Sequence, residues 1–234
     1  MLFVDTANFE EAKRWVQQYG ICKGITTNQA IWAKECNVNY DERIKELLTF
    51  KVPTSIELTK QNCSVAELVS EAEKLVEVFG REYLVIKVPM WKNNIGLDVA
   101  KQLLDREIKV NMTVLMNLNQ AVLAIEQEVD YVSFFYNRML DFCNSTFSGT
   151  SPNVRELVGS IIENCRKYIV AASHITQIIC GSIRDPNDVA ECFIHGAHIV
   201  TVTPKVLEKM HCHPKTDETI KEFDAAWSQW SCKK

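Results

Sequence analysis

The stretch of this chain best suited to carry chemistry is Tyr83-Leu-Val-Ile-Lys-Val-Pro-Met90, in which a lysine follows a run of apolar residues. An apolar run of this length, with charge before it and proline near its end, is typical of a buried parallel strand. Lys87 falls near the carboxyl end of that strand. A buried ammonium group is costly unless it is paired or loses its proton, and a neutral amine attacks carbonyl groups. Two interpretations follow: a Schiff-base lysine, or a lysine that snorkels or is held by a carboxylate.

Other polar side chains also interrupt apolar strands close to their carboxyl ends. These are Asp5, Asn28, Glu57, Asn111, Thr113, Ser133, Ser182 and Arg184. A single such residue is usually a helix cap or a satisfied core group. The carboxyl ends of the strands of a barrel share one face, which is where active sites are built. The set therefore predicts one polar site around Lys87.

The residue types suggest roles within such a site. Asp5 and Glu57 are carboxylates suited to proton transfer, and the same positions would also suit an ion pair with Lys87. Arg138 and Arg184, with Ser182, could bind an anion through charge-assisted hydrogen bonds. The alternative for either arginine is an ion pair on the surface.

The elements that must position these residues are eight predicted strands that alternate with helices. We expect the strands over 2–4, 21–26, 52–58, 83–90, 108–113, 131–135, 175–180 and 197–202. Such alternation means parallel strands with helical crossovers, and eight repeats in this length favour a closed (β/α)8 TIM barrel over an open sheet. No Gly-x-Gly-x-x-Gly follows the first strand, which argues against a dinucleotide fold. No linker interrupts the pattern, so we expect one α/β domain over 1–234.

Several local signals place the helices. Asn8 and the Ser64–Glu67 capping box each predict a helix start. The Ser/Thr-rich segment 142–150 is expected to be a loop, and Ser151-Pro152 is expected to begin the next helix. An additional amphipathic helix is expected over about 216–230, and its aromatic stripe of Phe223, Trp227 and Trp230 predicts a subunit contact.

Composition narrows the classes of protein. The 234 residues are 47% hydrophobic and 24% charged, as in ordinary globular proteins. The net charge of −4 gives no general attraction to nucleic acid or to an anionic membrane, and no apolar run is long enough to span a bilayer. The N-terminus lacks the basic segment of a secretory signal, and the nine scattered cysteines without Cys-x-x-Cys indicate reduced thiols in a cytoplasmic protein. Adjacent residues rarely bind one ion, so His211-Cys-His213 is not expected to be a metal site.

At this point the motifs identify a family. They include Phe3-Val-Asp-Thr-Ala-Asn8, Gly24-Ile-Thr-Thr-Asn28, Ile86-Lys-Val-Pro-Met90, Lys109-Val-Asn-Met-Thr113, Asn137-Arg-Met-Leu-Asp141 and Gly181-Ser-Ile-Arg184. In these motifs, which occur in family order over nearly the whole chain, the sequence resembles the transaldolase family in its short, single-domain form. That form also includes the fructose-6-phosphate aldolases.

The resemblance implies a (β/α)8 barrel without a cofactor, in which Lys87 forms a Schiff base with a ketose. It implies that Asp5 is the general acid/base and that Glu57 and Thr113 orient a water molecule. The residues implied to contact the donor hydroxyls are Asn28, Asn111 and Ser133, and those implied to hold a terminal phosphate or similar anion are Arg138, Ser182 and Arg184. Small family members are oligomers, often decamers built from pentamers, so the resemblance also implies a homo-oligomer.

Two segments depart from the family pattern. The chain has Gln29-Ala30 where the family usually has Pro-Ser, and Phe134-Phe-Tyr-Asn-Arg138 where it usually has Pro-Phe-Val-Gly-Arg. Phe135 occupies the position of a tyrosine in aldolase-type members. A phenyl ring cannot donate a proton, so Phe135 favours transfer over free aldol cleavage.

The sequence thus predicts a transaldolase that moves a dihydroxyacetone unit from a ketose phosphate, such as fructose 6-phosphate, or a sulfo-sugar analogue to an aldose. The alternatives are a fructose-6-phosphate aldolase-type lyase, a cofactor-free phosphosugar isomerase or epimerase that uses Asp5 and Glu57, and a non-catalytic binding barrel. The arginines cannot separate phosphate from sulfonate, because both groups offer three acceptor oxygens.

Overall fold

The computed structural model describes residues 1–59, 63–147 and 153–232. Within them, eight parallel strands pair in sequence order, and the first pairs with the last to close a barrel. The strands are β1 (Leu2–Asp5), β2 (Cys22–Thr26), β3 (Thr54–Glu57), β4 (Leu84–Pro89), β5 (Val110–Leu115), β6 (Tyr131–Phe135), β7 (Gln177–Gly181) and β8 (Ile199–Val202). The predicted (β/α)8 TIM barrel is confirmed.

Helices follow or connect the strands. They are α1 (Phe9–Ala12), which continues as a π-helical turn (Lys13–Gln18), α2 (Gln29–Trp32), α3 (Tyr40–Leu48), α4 (Val65–Phe79), α5 (Ile95–Leu104), α6 (Leu118–Ile125), α7 (Tyr136–Thr146), α8 (Val154–Ala171), α9 (Pro186–Ile194), α10 (Pro204–Met210) and α11 (Pro214–Ser231). The predicted caps are present: Asn8 accepts the amides of Glu10 and Glu11, and Ser64 forms a reciprocal capping box with Glu67.

Side chains along each strand alternate between the barrel interior and the helical layer. Phe3, Ile179 and Ile199 form a separate apolar cluster, and the outward-facing strand residues such as Val4, Ile86 and Val132 join the main core with the helices. Gly24 leaves room for Phe3, because a Cβ atom there would lie 2.4 Å from its ring. The residues two positions after this apolar layer, Asp5 in β1 and Thr201 in β8, face the same pocket at the carboxyl end.

The predicted loop over 142–150 is wrong for residues 142–146, which belong to α7. Tyr136, Met139, Leu140 and Cys143 are buried at the spacing of a helical face. This apolar period outweighs the Ser and Thr residues that suggested a loop. The predicted helix start at Ser151-Pro152 lies outside the described residues, and α8 begins at Val154. The short helix α2 was also not predicted.

The predicted C-terminal helix is present as α11, and it differs from the other long helices because none of its side chains is buried. Phe223 and Trp227 are 68% and 66% exposed. Across the three described ranges, no helix has the length and apolar character needed to cross a bilayer.

Candidate active site

A cavity of about 440 Å³ opens at the carboxyl end of the barrel, which is the size of a small-molecule site. All eight strands, or the turns that follow them, contribute to its wall. The lining residues are Asp5, Thr26, Asn28, Gln29, Ala30, Glu57, Lys87, Thr113, Val114, Met116, Ser133, Phe135, Arg138, Gly181, Ser182 and Thr201. Nine of the eleven predicted site residues are in this set, and Asn111 and Arg184 are not.

Lys87 lies in the floor of the cavity and is 4% exposed. Its Nζ donates a hydrogen bond to the Thr27 carbonyl oxygen at 2.9 Å and lies 3.0 Å from Glu57 Oε2. The contact with Glu57 is close enough for an ion pair but is not directed as a hydrogen bond, since Oε2 has no hydrogen-bond partner among the described residues. The Lys87 amine therefore has one hydrogen-bond acceptor, the Thr27 carbonyl, and one neighbouring base, the Glu57 carboxylate.

Two buried oxygen atoms of the site have no hydrogen-bond partner in the described part of the chain. They are Glu57 Oε2 and Thr113 Oγ1, and both residues line the cavity. A buried polar atom without a partner is costly, and such atoms in native proteins usually serve a ligand, a water or chemistry. The Glu57 oxygen can receive a proton beside Lys87, and the Thr113 hydroxyl can orient a polar group in the cavity.

Asp5 is at the end of β1, and its Oδ1 accepts a hydrogen bond from Thr26 Oγ1 at 2.6 Å. The Thr26 hydroxyl is also 2.5 Å from that of Thr201, so three strands are linked at the mouth. Burial raises the pKa of the Asp5 carboxyl, the nearby Lys87 charge and the Thr26 hydrogen bond oppose the rise, and Glu57 adds to it. A carboxyl group that binds its proton more readily is suited to general acid/base chemistry.

The neutral polar residues form two groups. Asn28 lines the cavity and caps α2 through its Oδ1, which accepts the Ile31 amide at 3.0 Å. Ser133 Oγ donates to Asn111 Oδ1 at 2.6 Å, and Asn111 Nδ2 donates to Ser55 Oγ at 3.2 Å. Asn111 is fully buried and lies outside the lining set, so it reaches the cavity only through its hydrogen bond with Ser133 on the neighbouring strand β6.

The wall formed by the segments that follow β6 and β7 carries an arginine and a serine. Arg138 is exposed, makes no ion pair with any residue that the structure describes, and places its guanidinium 5.8 Å from the Phe135 ring centre. Helix α7 begins directly after β6, and its N-cap residue Phe135 offers no side-chain acceptor to the first amides. Ser182 lines the same wall with a left-handed backbone, at φ +59°. A cation, a hydroxyl and a helix N-terminus together can bind an anion.

Arg184 does not reach the cavity in this structure. Its guanidinium makes a bidentate pair with Asp141 of α7, at 2.9 and 2.6 Å, and both side chains are more than half exposed. The alternative interpretation from the sequence, a surface ion pair, describes this arrangement.

A bulge in β5 places an unforeseen residue in the wall. The β5–β6 register shifts between Met112 and Leu115, and Val114 has φ +62°, which is rare for a β-branched residue. Because of the extra residue, Thr113 and Val114 both line the cavity and Leu115 returns to the core. Backbone strain of this kind concentrates at functional sites. No signal in the sequence marks this bulge.

Thr26, Gln29 and Thr201 also line the cavity and were not predicted as site residues. The two threonines are late in β2 and β8, so the rule that selected Asp5 and Glu57 could have found them. Gln29 Nε2 donates to the Leu58 carbonyl at 2.7 Å, which fixes the turn after β2 against the end of β3.

Within the described ranges, no three His, Cys, Asp or Glu side chains converge as they would around a metal ion. In the cluster at 211–213, His213 and Cys212 make hydrogen bonds with nearby residues of the chain. His213 Nδ1 accepts the Lys215 amide as the cap of α11, and Cys212 Sγ donates to the Glu208 carbonyl.

Comparison with known proteins agrees with this geometry. Residues 2–233 match the family model described as transaldolase/fructose-6-phosphate aldolase. The "Probable transaldolase 2" of Bacillus anthracis is 34% identical over 232 residues, which are 97% of this chain and 97% of the relative. The "Probable transaldolase" of Geobacillus kaustophilus (strain HTA426) is 35% identical over 227 residues, which are 97% and 98% of the two chains. The chain therefore belongs to the transaldolase/fructose-6-phosphate aldolase family, whose enzymes act through a Schiff base.

Proposed function

We propose that this protein is a transaldolase that transfers a three-carbon dihydroxyacetone unit from a ketose with a terminal anion, such as fructose 6-phosphate, to an aldose. The observation that supports this most directly is the buried Lys87 amine in a polar barrel mouth, 3.0 Å from the Glu57 carboxylate. The names of the relatives and the family agree with the proposal.

The reaction begins when the neutral Lys87 amine attacks the ketose carbonyl carbon. Glu57 is the nearest base that can take the proton which the amine must lose. Loss of the carbonyl oxygen as water gives the Schiff base. Glu57 and Thr113, whose buried oxygens have no partner among the described residues, orient this water and exchange its protons.

The carbon–carbon bond then breaks by a retro-aldol step. Asp5 takes the proton of the donor hydroxyl next to the breaking bond, an aldehyde leaves, and the bond electrons pass into the Schiff base to form an enamine. The acceptor aldehyde reacts with the same enamine while Asp5 returns the proton. Water finally releases the new ketose from Lys87.

Specificity for the donor comes from groups around this centre. Asn28 and Ser133 contact the donor hydroxyls, and Asn111 acts through its hydrogen bond with Ser133. Arg138 and Ser182 bind the terminal anion. Arg184 could join them only by exchanging Asp141 for the anion.

Phe135 favours transfer over cleavage. Release of free dihydroxyacetone requires a proton on the enamine carbon, and the phenyl ring beside Arg138 has none to give. The enamine therefore survives until an acceptor aldehyde arrives. The same pocket with a proton donor at this position would be that of an aldolase-type lyase.

Trapping the Schiff base tests the proposal. The protein is incubated with fructose 6-phosphate, reduced with borohydride and mapped by mass spectrometry, and transfer is followed with labelled donor and an aldose acceptor. We expect a reduced three-carbon adduct on Lys87 and label in the new ketose. Free dihydroxyacetone as the main product would support the lyase. No adduct with any ketose, together with interconversion of phosphosugars, would support the isomerase that uses Asp5 and Glu57. A sulfonate-ended ketose in the same assay compares the two anions.

We also propose that α11 contacts a second copy of the chain. Phe223 and Trp227 lie on one face of this helix and are both about two-thirds exposed. A solvent-exposed helix rarely carries two large aromatic side chains on one face. Light scattering of the wild type and of Phe223→Glu/Trp227→Glu tests this. We expect an oligomer that the double substitution dissociates, and a monomeric wild type would reject the contact.

A further inference from the structure

A buried carboxylate outside the cavity connects the two segments that form its anion-binding wall. Asp188, in the first turn of α9, is 1% exposed and does not line the cavity. Its Oδ2 accepts hydrogen bonds from Asn137 Nδ2 at 2.7 Å and from the Asp185 amide at 3.2 Å. Its Oδ1 accepts one from Arg155 Nη1 at 2.8 Å.

The first of these bonds fixes the start of α7. Asn137 is the second residue of α7, is 8% exposed, and directly precedes Arg138. Because α7 begins immediately after β6, no loop lies between the barrel and Arg138. The position of the Arg138 Cα atom therefore depends on how the first turn of α7 is held, and Asn137 holds it to α9.

The second bond fixes the turn after β7. The Asp185 amide belongs to the segment between β7 and α9, which also carries Ser182. Ser182 has a left-handed backbone, which costs free energy in a residue other than glycine and therefore persists only where the surroundings impose it. The capping box between Asp185 and Asp188 is one such constraint.

Arg155 supplies the countercharge. Although burial acts to raise the pKa of Asp188, the hydrogen bonds from Asn137 and Arg155 outweigh it and hold the pKa below its usual range. The carboxylate therefore stays charged at neutral pH and keeps three donors around it, and charge-assisted hydrogen bonds of this kind are the strong ones. The Asp188 side chain, on α9, is thus hydrogen-bonded to residues of both α7 and α8.

From this geometry we propose that Asp188 is a positioning residue for the anionic end of the substrate, because it sets the separation of Arg138 and Ser182. This inference rests on the proposed function. It predicts that substitutions which break the Asp188 contacts weaken the binding of anionic ligands but leave Schiff-base formation at Lys87 with neutral ligands unchanged. A carboxylate that only stabilised the fold would affect charged and neutral ligands alike.

The experiment compares wild type with Asp188→Asn, in which the new amide NH2 group must face one or two of the three donors that the carboxylate accepted. Two ligands are used. Fructose 6-phosphate has an anionic group that would contact the anion-binding wall, whereas dihydroxyacetone is neutral and would contact only the part of the cavity around Lys87. Inorganic phosphate serves as a probe of the wall alone, through competitive inhibition and the rise in melting temperature. Asn137→Ala is the second variant, since it removes the tether to α7 and leaves the Asp188–Arg155 pair in place should Asp188→Asn fail to fold.

Asp130→Asn is a matched control. Asp130 accepts the Val110 amide at 2.8 Å at the opposite, amino-terminal end of β5. This substitution also weakens a partly buried carboxylate contact but lies far from Arg138. We expect it to lower the melting temperature without changing the preference between the two ligands.

For Asp188→Asn and Asn137→Ala we expect KM for fructose 6-phosphate and the phosphate inhibition constant to rise by about tenfold, the effect of one weakened charge-assisted contact. Borohydride trapping of dihydroxyacetone should stay within about twofold of wild type. Equal losses with both ligands, or no change with phosphate, would overturn the proposal. If wild type trapped no ketose, the proposed function would fail, and the phosphate measurement would still decide the role of Asp188.

Discussion

Lys87 and Glu57 are direct neighbours across β4 and β3, and Lys87 Nζ lies 3.0 Å from Glu57 Oε2. Their side chains are 6% and 9% exposed. A buried pair of opposite charges is a weak source of stability, but loss of one partner leaves an uncompensated charge. The proposed proton transfer between Lys87 and Glu57 therefore accounts for this buried pair better than a contribution to stability does.

Lys87→Met should abolish turnover while the protein remains folded. The methionine side chain fills a similar apolar path but has no amine, and Glu57 can take up a proton in place of its lost partner. The measurement is turnover with fructose 6-phosphate, together with the circular dichroism spectrum. Lys101→Met, which removes an exposed ion pair, is the control and should keep full activity. Substantial turnover by Lys87→Met would refute the Schiff-base assignment.

Glu57→Gln should lower kcat by about 10²- to 10⁴-fold, the usual contribution of a positioned acid or base. The carboxamide keeps the shape of the side chain but cannot accept the proton from Lys87. Steady-state kinetics separates this from a binding defect, since KM should change far less than kcat. Glu82→Gln makes the same chemical change on the surface and should behave as wild type. A Glu57→Gln enzyme within about threefold of wild type would show that another base serves Lys87.

Phe135→Tyr should increase free cleavage of the donor relative to transfer, by about tenfold or more, because the phenol adds a proton donor to the cavity wall. The assay measures dihydroxyacetone release against label transfer to an aldose. Phe142→Tyr, on the exposed side of α7, is the control and should leave the ratio unchanged. An unchanged ratio in Phe135→Tyr would mean that the proton donor for cleavage lies elsewhere.

Asp5→Asn should raise the melting temperature at about pH 7 while it abolishes activity. Burial raises the pKa of Asp5, so the folded state binds this proton more tightly than the unfolded chain. The resulting stabilisation is complete below the unfolded pKa, near 3.9, and is lost as pH rises through the raised folded pKa. The ionised carboxylate therefore opposes folding at neutral pH, and asparagine removes that cost while it still accepts from Thr26. The gain in melting temperature should shrink towards pH 4, and a gain that grew on acidification would contradict this explanation.

His198 should make the fold sensitive to acid. Its pKa is lowered from 6.5 to about 4 by burial and by the charges of Arg166 and the N-terminus, and its Nδ1 accepts the Ile178 amide at 2.9 Å. Because the folded pKa is depressed, stability is present above pH 6.5 and is lost as pH falls towards 4. His198→Asn keeps an acceptor near the Nδ1 position but cannot titrate. Its melting temperature should fall less than that of wild type between these two pH values, and parallel curves would exclude His198 as the cause.

Much of the barrel could be predicted from local patterns. The apolar runs of β4 and β6 and the capping box at Ser64 are short-range features, and they place the elements to within a few residues. The loop expected over 142–146 failed because Ser and Thr were given more weight than the buried helical spacing of Tyr136, Met139, Leu140 and Cys143. The π-helical turn over 13–18 and the helix α2 carry no comparable signal.

The candidate site also has features that the sequence predicts and features that only the tertiary structure determines. That Asp5, Glu57 and Lys87 share one mouth follows from their places late in parallel strands. That Glu57, and not Asp5, touches Lys87 depends on the order and register of the strands. Likewise, the ion pair between Arg184 and Asp141 joins residues that are distant in the chain. The bulge that places Val114 in the cavity wall arises in the pairing of β5 with β6.

The sequence by itself determined an eight-stranded barrel with a lysine, two carboxylates and basic groups at its carboxyl end, because strand periodicity and strand direction are local properties. Only the tertiary structure decided which of these groups meet, which arginine remains open to an anion, and that Asp188 joins the segments of Arg138 and Ser182. Those outcomes depend on strand register and on packing between residues far apart in the chain, such as Asn137 and Asp188, which are 51 positions apart, and no local pattern encodes them.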